Sequence, residues 1–367
     1  MQAPALSRRR AIHSRVETVE SPSAADYTTA PITNDSHLIM LLNATSATQE
    51  RPGIKTGPSF WRRLALSIIW VFIAVPVLTQ AATSSVILTD DRGKTIELTQ
   101  PATRPAAIST FGADVAKALG IQPVAITNFG LEGAPAYLGP DMNKVPSLGP
   151  RHQPNLERLS RIAPDLVFAI RRYTEKDGPQ IEAIAPMVAL DLITLQDSLH
   201  AVALAGDAFG RSKQARQINE RFLARLESLA AQSPGGRTVA ILTSGGETPF
   251  VYYDHFLTAA LLERLHLDNV GGPPPNPDSG IPLGYRISLE TLLTLNPDVI
   301  FLLPSNRQRG FTLNPVWPYL QAVKNDQVFE VGQHWKESAG PIARSLALDD
   351  MARLLFPDIT PVKTSLR

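Results

Sequence analysis

One short unit is written twice in this chain. The stretch NLERLSRIAPDLVFAI, from Asn155, returns as SLETLLTLNPDVIFLL from Ser288, at a constant offset of 133 residues. Each copy reads as a short helix stopped by a proline (Pro164, Pro297), then an Asp, then an unbroken apolar run. A run without alternation suits a strand buried on both faces, the usual fate of parallel strands covered by helices. Leu156, Leu159 and Ala163, or Leu289, Leu292 and Asn296, share one helical face, which is expected to pack on a sheet, with Leu293 and Leu295 adding bulk. Glu157 and Glu290 fall in the first helical turns, off that face. A carboxylate there complements the helix dipole. Two copies, far apart, do not make a solenoid. They imply two sheets, each built around one copy.

The intervening pattern supports this. Before the first copy, VILTDDRGKTIEL reads as a β-hairpin, and strands then alternate with short helices up to MVAL at 187–190. After TVAILT at 238–243 the alternation resumes and closes on a helix, PIARSLALDDMARLLFP. Between them, residues 194–232 keep a helical period, weakened but not ended by Gly206 and Gly210, and stop at Ser233-Pro234-Gly235-Gly236. One helix of that length is a rod of about 50 Å or more. The expected architecture is α/β: two Rossmann-like lobes joined by one long α-helix. The divisions are a lobe at 83–193, the connecting helix at 194–235 and a second lobe at 236–367.

The N-terminal end is of another kind. Residues 1–60 are polar, without apolar periodicity, and are expected to be disordered. Residues 61–82 have the layout of a secretory signal: Arg62 and Arg63, an apolar core at 64–78, then Thr79, Ala81 and Ala82. The core is short for a membrane span, which needs about 20 residues. Cleavage near Ala81 would remove eight Lys/Arg and five acids, changing the formal charge from +1 to −2. So neutral a chain has no bulk basic field for nucleic acid. It has no cysteine, hence no disulfide, thiolate metal site, Cys nucleophile or lipid-anchoring cysteine. A soluble, exported, periplasmic monomer without a lipid anchor is the expectation.

Catalytic and metal motifs are lacking. There is no Gly-x-Ser-x-Gly elbow, P-loop, Gly-x-Gly-x-x-Gly or His-Glu-x-x-His. His152, His200, His255, His266 and His334 are scattered, so no protein metal site is expected. An enzyme is not expected; an exported two-lobe hydrolase is the alternative from that class.

Over residues 86–356 the chain resembles the periplasmic binding proteins of iron–siderophore and cobalamin ABC importers, in which one long helix joins two α/β lobes. The resemblance is carried by SLGPRHQPNLERL, which is similar to the Gly-x-Arg-x-x-Pro-Asn-Leu-Glu pattern of the ferric-hydroxamate branch. It is also carried by PFVYYDHFLTAALLERLHLDN, NPVWPYLQAV and HWKESAGPIARSL. It implies capture of a ferric siderophore, hydroxamate by branch, between the lobes, with Fe(III) held by the siderophore and no intrinsic cofactor. It implies delivery to an inner-membrane ABC permease with its ATPase, docked through Glu157 and Glu290.

By the same resemblance Arg151, Tyr173 and Trp335 would contact ligand. A guanidinium fork suits a cluster of negative oxygens, and aromatic faces suit the chelate's apolar shell. From the residues alone, Arg151 reads as a solvated loop arginine, and Tyr173 reads equally as a strand-end packing residue. Trp335, between His334 and Lys336, reads as an exposed aromatic. The chain departs from the branch at IPLGYRIS, where a Trp is absent and Tyr285 or Leu283 stands in its place. Tyr137, in the Gly/Pro-rich loop 128–150, joins the candidates. Arg171 and Arg172, with Arg151 and Arg286, would instead make a cationic cleft, suited to ferric citrate or a ferric catecholate. Haem, through His152, Tyr173 or His334, and cobalamin are further alternatives.

Overall fold

The predicted hairpin forms: β1 (Val86–Thr89) pairs antiparallel with β2 (Thr95–Leu98). The computed structural model describes residues 85–129, 133–243, 246–276, 281–305 and 309–358. The polar extension, the signal segment and its cleavage site lie outside them. β3 (Pro105–Ile108), β4 (Ala125–Asn128), β5 (Ser147–Pro150), β6 (Leu166–Ile170) and β7 (Met187–Leu190) then build a parallel sheet in the order β5-β4-β3-β6-β7. β5 arises inside the stretch read as loop. Its connections are α1 (Thr110–Ala118), α2 (Leu156–Ile162), α3 (Arg171–Thr174) and α4 (Gly178–Glu182). β6 is buried on both faces: Leu166, Phe168 and Ile170 enter one core cluster, Val167 and Ala169 another.

The single connecting rod is not what forms. Residues 195–230 make two helices, α5 (Leu195–Ala208) and α6 (Ser212–Ala230). Gly210 sits at φ +63°, a left-handed cap that a helix interior does not contain, so it ends α5 rather than merely weakening it. The helices fold back on each other as an antiparallel pair. A methyl on Gly206 would stand 2.4 Å from the Ala215 Cβ, and Asn219 donates to the Leu199 carbonyl at 2.8 Å. α5 belongs to the first core through Ala201, Val202, Ala205 and Ala208. α6, about 28 Å long at 19 residues, runs from the first core to the second. Its Ala215 and Ile218 meet the first core, and its Phe222, Leu226 and Leu229 the second.

The second sheet runs β11 (Gly284–Arg286), β9 (Phe250–Tyr252), β8 (Thr238–Thr243), β12 (Val299–Leu302), β13 (Val328–Glu330), with β10 (Asp268–Asn269) also on β8. β8, β10, β12 and β13 are parallel, while β9 runs antiparallel to β8 and to β11. Around it lie α7 (Leu257–Arg264), α8 (Leu289–Leu295), α9 (Gln321–Lys324) and α10 (Pro341–Leu355).

The repeat holds down to single atoms. Asn155 and Ser288, 133 apart, cap α2 and α8 by accepting from Arg158 N–H and Thr291 N–H. Ala163 and Asn296 both end their helices in the left-handed conformation, at φ 49° and 44°. This turns Ala163 outward, and the half-buried Ile162 takes its expected place on the sheet. Asp165 accepts from the backbone N–H of Thr103 and Arg104, Asp298 from that of Thr238, so each Pro-Asp fastens the chain entering the neighbouring strand. Phe168 and Phe301 hold matching positions in the two cores.

Candidate ligand-binding cleft

Where the two sheets face each other, the chain ends of β6 and β7 meet the segments after β9 and β13. The first side contributes Phe111, Arg151, Ile170, Arg172, Tyr173, Leu192 and Ile193. The second contributes Tyr252, Phe256, Leu257, Leu283 and the run from Lys336 to Ala339.

Arg151 leaves the loop between β5 and α2. Its guanidinium lies 4.5 Å over the Tyr173 ring, and Arg172 lies 4.8 Å over the same ring. Tyr173 is thus a platform for two cations. Arg151 Nη1 also reaches across to Glu337, at 3.1 Å to Oε1 and 3.4 Å to Oε2. Burial would lower the Arg151 guanidinium, but the charge and hydrogen bond of Glu337 together with the nearby Tyr173 outweigh that and hold it above its usual range. Arg172 Nη1 is shielded from solvent and has no hydrogen-bond partner among the described residues. Burial, with Glu337 and Tyr173 nearby, pushes the Tyr252 phenol well up, so it stays a neutral donor.

The other expected site residues lie elsewhere. Trp335 is not an exposed aromatic: it is 0% exposed. Its ring stands 4.5 Å from that of Phe301, and its Nε1 donates to Asp350 at 3.0 Å. A 3₁₀ turn over Gln333–Trp335 turns it inward, while Lys336 stays exposed. Burial alone would raise the Asp350 carboxyl, but hydrogen bonds from His334, Arg353 and Trp335 hold it at about 2. His334 is spent there, at 2.8 Å. Arg171 turns to Asp191, with Nη2 to Oδ2 at 2.6 Å, and does not line the cleft. Tyr285 packs against Tyr253, centroids 5.1 Å apart. Tyr137 meets His334 edge-on, and its buried hydroxyl is pushed well up by burial and by Asp114. Neither tyrosine lines the cleft.

Sequence reasoning missed Tyr252, Phe256, Lys336 and Glu337. All four stand within the stretches that carry the resemblance, FVYYDHF and HWKES. What no pattern revealed is that Glu337 faces Arg151 across 186 residues of chain. Among the described residues no group of three His, Cys, Asp or Glu could hold a metal ion, and no helix is long and apolar enough to cross a membrane.

Residues 106–334 match the family described as periplasmic binding protein. The chain is 28% identical over 256 residues to the achromobactin-binding periplasmic protein of Dickeya dadantii (strain 3937), spanning 66% of this chain and 82% of that protein. It is 27% identical over 224 residues to the Fe(3+) dicitrate-binding periplasmic protein FecB of Escherichia coli (strain K12), spanning 59% and 73%. The crystal structure of Staphylococcus aureus SirA complexed with staphyloferrin B superposes with a TM-score of 0.62 at 22% identity, over 74% of this chain and 98% of that one. That likeness shows a shared mixed α/β fold of the two-lobe type. Because the family match spans more than half of the sequence and both sheets, the chain belongs to the periplasmic binding protein family.

Proposed function

We propose that this protein is the extracytoplasmic receptor of an ABC importer and takes an anionic ferric chelate into the cleft between its sheets. The observation that carries this is Arg172 Nη1, a buried donor without a partner on a wall shared with Arg151 and opposite Lys336. A desolvated guanidinium N–H left unpaired is costly, and an oxyanion of the ligand would satisfy it. The chelate itself would hold Fe(III), the chain supplying donors and apolar walls (Phe111, Tyr252, Phe256) rather than metal ligands. Relatives named for binding Fe(3+) dicitrate and achromobactin support the same class.

A ferric hydroxamate is the second reading, favoured by the Gly-Pro-Arg-x-x-Pro-Asn-Leu-Glu pattern and by the contact of Arg151 with Tyr173. It loses Trp335 as a platform, since that ring is in the core. Transport would end at a permease and its ATPase, met by Glu157 and Glu290, both exposed in the first turns of α2 and α8.

Titration of the protein with ferric dicitrate, a ferrichrome-type and a catecholate-type chelate, read by tryptophan emission, tests this. Ferric dicitrate or the catecholate should bind tighter than ferrichrome, and Arg172→Gln should weaken that binding on the order of tenfold. Tighter ferrichrome binding would replace the first reading by the second, and no quenching by any chelate would end both.

A further inference from the structure

The Arg151–Glu337 pair raises a difficulty for any ligand. Glu337 is a carboxylate with a side chain only 9% exposed, in a cleft whose other charges, Arg151, Arg172 and Lys336, are positive. With the pair made, the cleft encloses about 80 Å³, against roughly 300–1,000 Å³ for small-molecule sites. One of the two arginines that would meet an anion is therefore already taken, and the group that takes it lines the same space.

The segment that carries Glu337 is fastened to the first sheet's side at further points. Gln333 Oε1 accepts from Ala136 N–H at 2.9 Å, and the Ala339 carbonyl accepts from Ser198 Oγ at 2.6 Å. Glu337 differs from these in being the tie that spans the cleft itself. Its partner is a ligand candidate, and it carries the charge a ligand would bring.

We propose that Glu337 is a built-in competitor: it occupies Arg151 as a stand-in for the ligand's anionic group, and an incoming anion must displace it to open and fill the cleft. This rests on the proposed binding of anions in this cleft and names the residue that sets its selectivity. A weakly charged solute cannot replace a carboxylate on Arg151, whereas a polyanionic chelate can, with Arg172 and Lys336 as further partners.

Two measurements on the full chain decide the matter. The first needs no ligand: urea unfolding of Glu337→Gln, Arg151→Gln and the double variant. If the pair is made, the losses are not additive, and the double variant is no less stable than the worse single one. Additive losses would overturn the proposal. The second is titration of wild type and Glu337→Gln with ferric dicitrate and with iron-free citrate. Removing the competing charge should tighten anion binding on the order of tenfold. Unchanged or weaker binding by Glu337→Gln would overturn the proposal, the latter by making Glu337 a ligand contact. If Glu337→Gln tightens citrate as much as ferric dicitrate and neither protein prefers iron, the competitor stands and the ferric-chelate reading falls. If ferric dicitrate binds both proteins equally, the chelate reading stands and the competitor falls.

Discussion

At the scale of single residues, the join between the two halves turns on two buried charges. Asp114, in the middle of α1, caps a helix that is not its own. Its carboxylate accepts from Ile342 and Ala343 N–H of α10, at 2.8 and 3.0 Å. Gly340 permits this, because a Cβ there would lie 2.3 Å from the carboxyl carbon. One turn on, the fully buried Arg344 donates to Ser198 Oγ on α5 and to Asn219 on α6, and lies 4.6 Å over the Phe222 ring. Burial pushes Asp114 up to about 7, against the pull of the two backbone N–H groups, Tyr137 and Arg344. A carboxyl so raised keeps its proton in the folded chain after the unfolded chain has lost it. Its contribution to stability is therefore greatest near pH 4 and falls as pH rises to 7. The stability of wild type minus that of Asp114→Asn, from urea unfolding at half-unit steps, should decline by a few kcal/mol over this window. A flat difference would show that Asp114 does not titrate there. None of this was legible in PIARSLALDD, which shows only a helix. Partners from three other elements make the burial of Arg344 tolerable. Trp335 was misread because polar sequence neighbours say little about a side chain on a 3₁₀ turn.

At the scale of elements, the longer strands and the proline stops were the readable part. Both copies of the repeat became the helix and strand that their periods and prolines require, because those signals act within a few residues. The turn between α5 and α6 was misjudged because helical period continues on both sides of Gly210, and only packing decides whether such a glycine bends a helix or ends it. The close approach at Gly206 makes this testable. Gly206→Ala places a methyl against the Ala215 Cβ and should lower stability by about 1–3 kcal/mol, the usual cost of overpacking, seen as a lower urea midpoint. If the variant is as stable as wild type, the pair is not held together at that contact. β9, β10 and β11 escaped notice because two or three residues carry too little periodicity to read.

At the scale of the whole molecule, α6 crosses from one core to the other while α10 is capped from the first side and packed in the second. Two helices therefore join the halves, which leaves the exposed glutamates at corresponding places in the repeat on each. Charge reversal at Glu157 and Glu290 together should abolish uptake in cells while leaving chelate affinity of the purified protein unchanged. Lost affinity would mean that these residues serve the cleft and not a permease. The sequence by itself determined that there are two sheets, where each begins, where the repeated helices stop and which carboxylates stay outside, since each of these follows from local period and turn chemistry. Tertiary structure alone decided that the rod is a folded pair, that Trp335 is core, and that Arg151 meets Glu337. Contacts between residues nearly two hundred positions apart depend on how two cores settle against each other, and no local pattern encodes that.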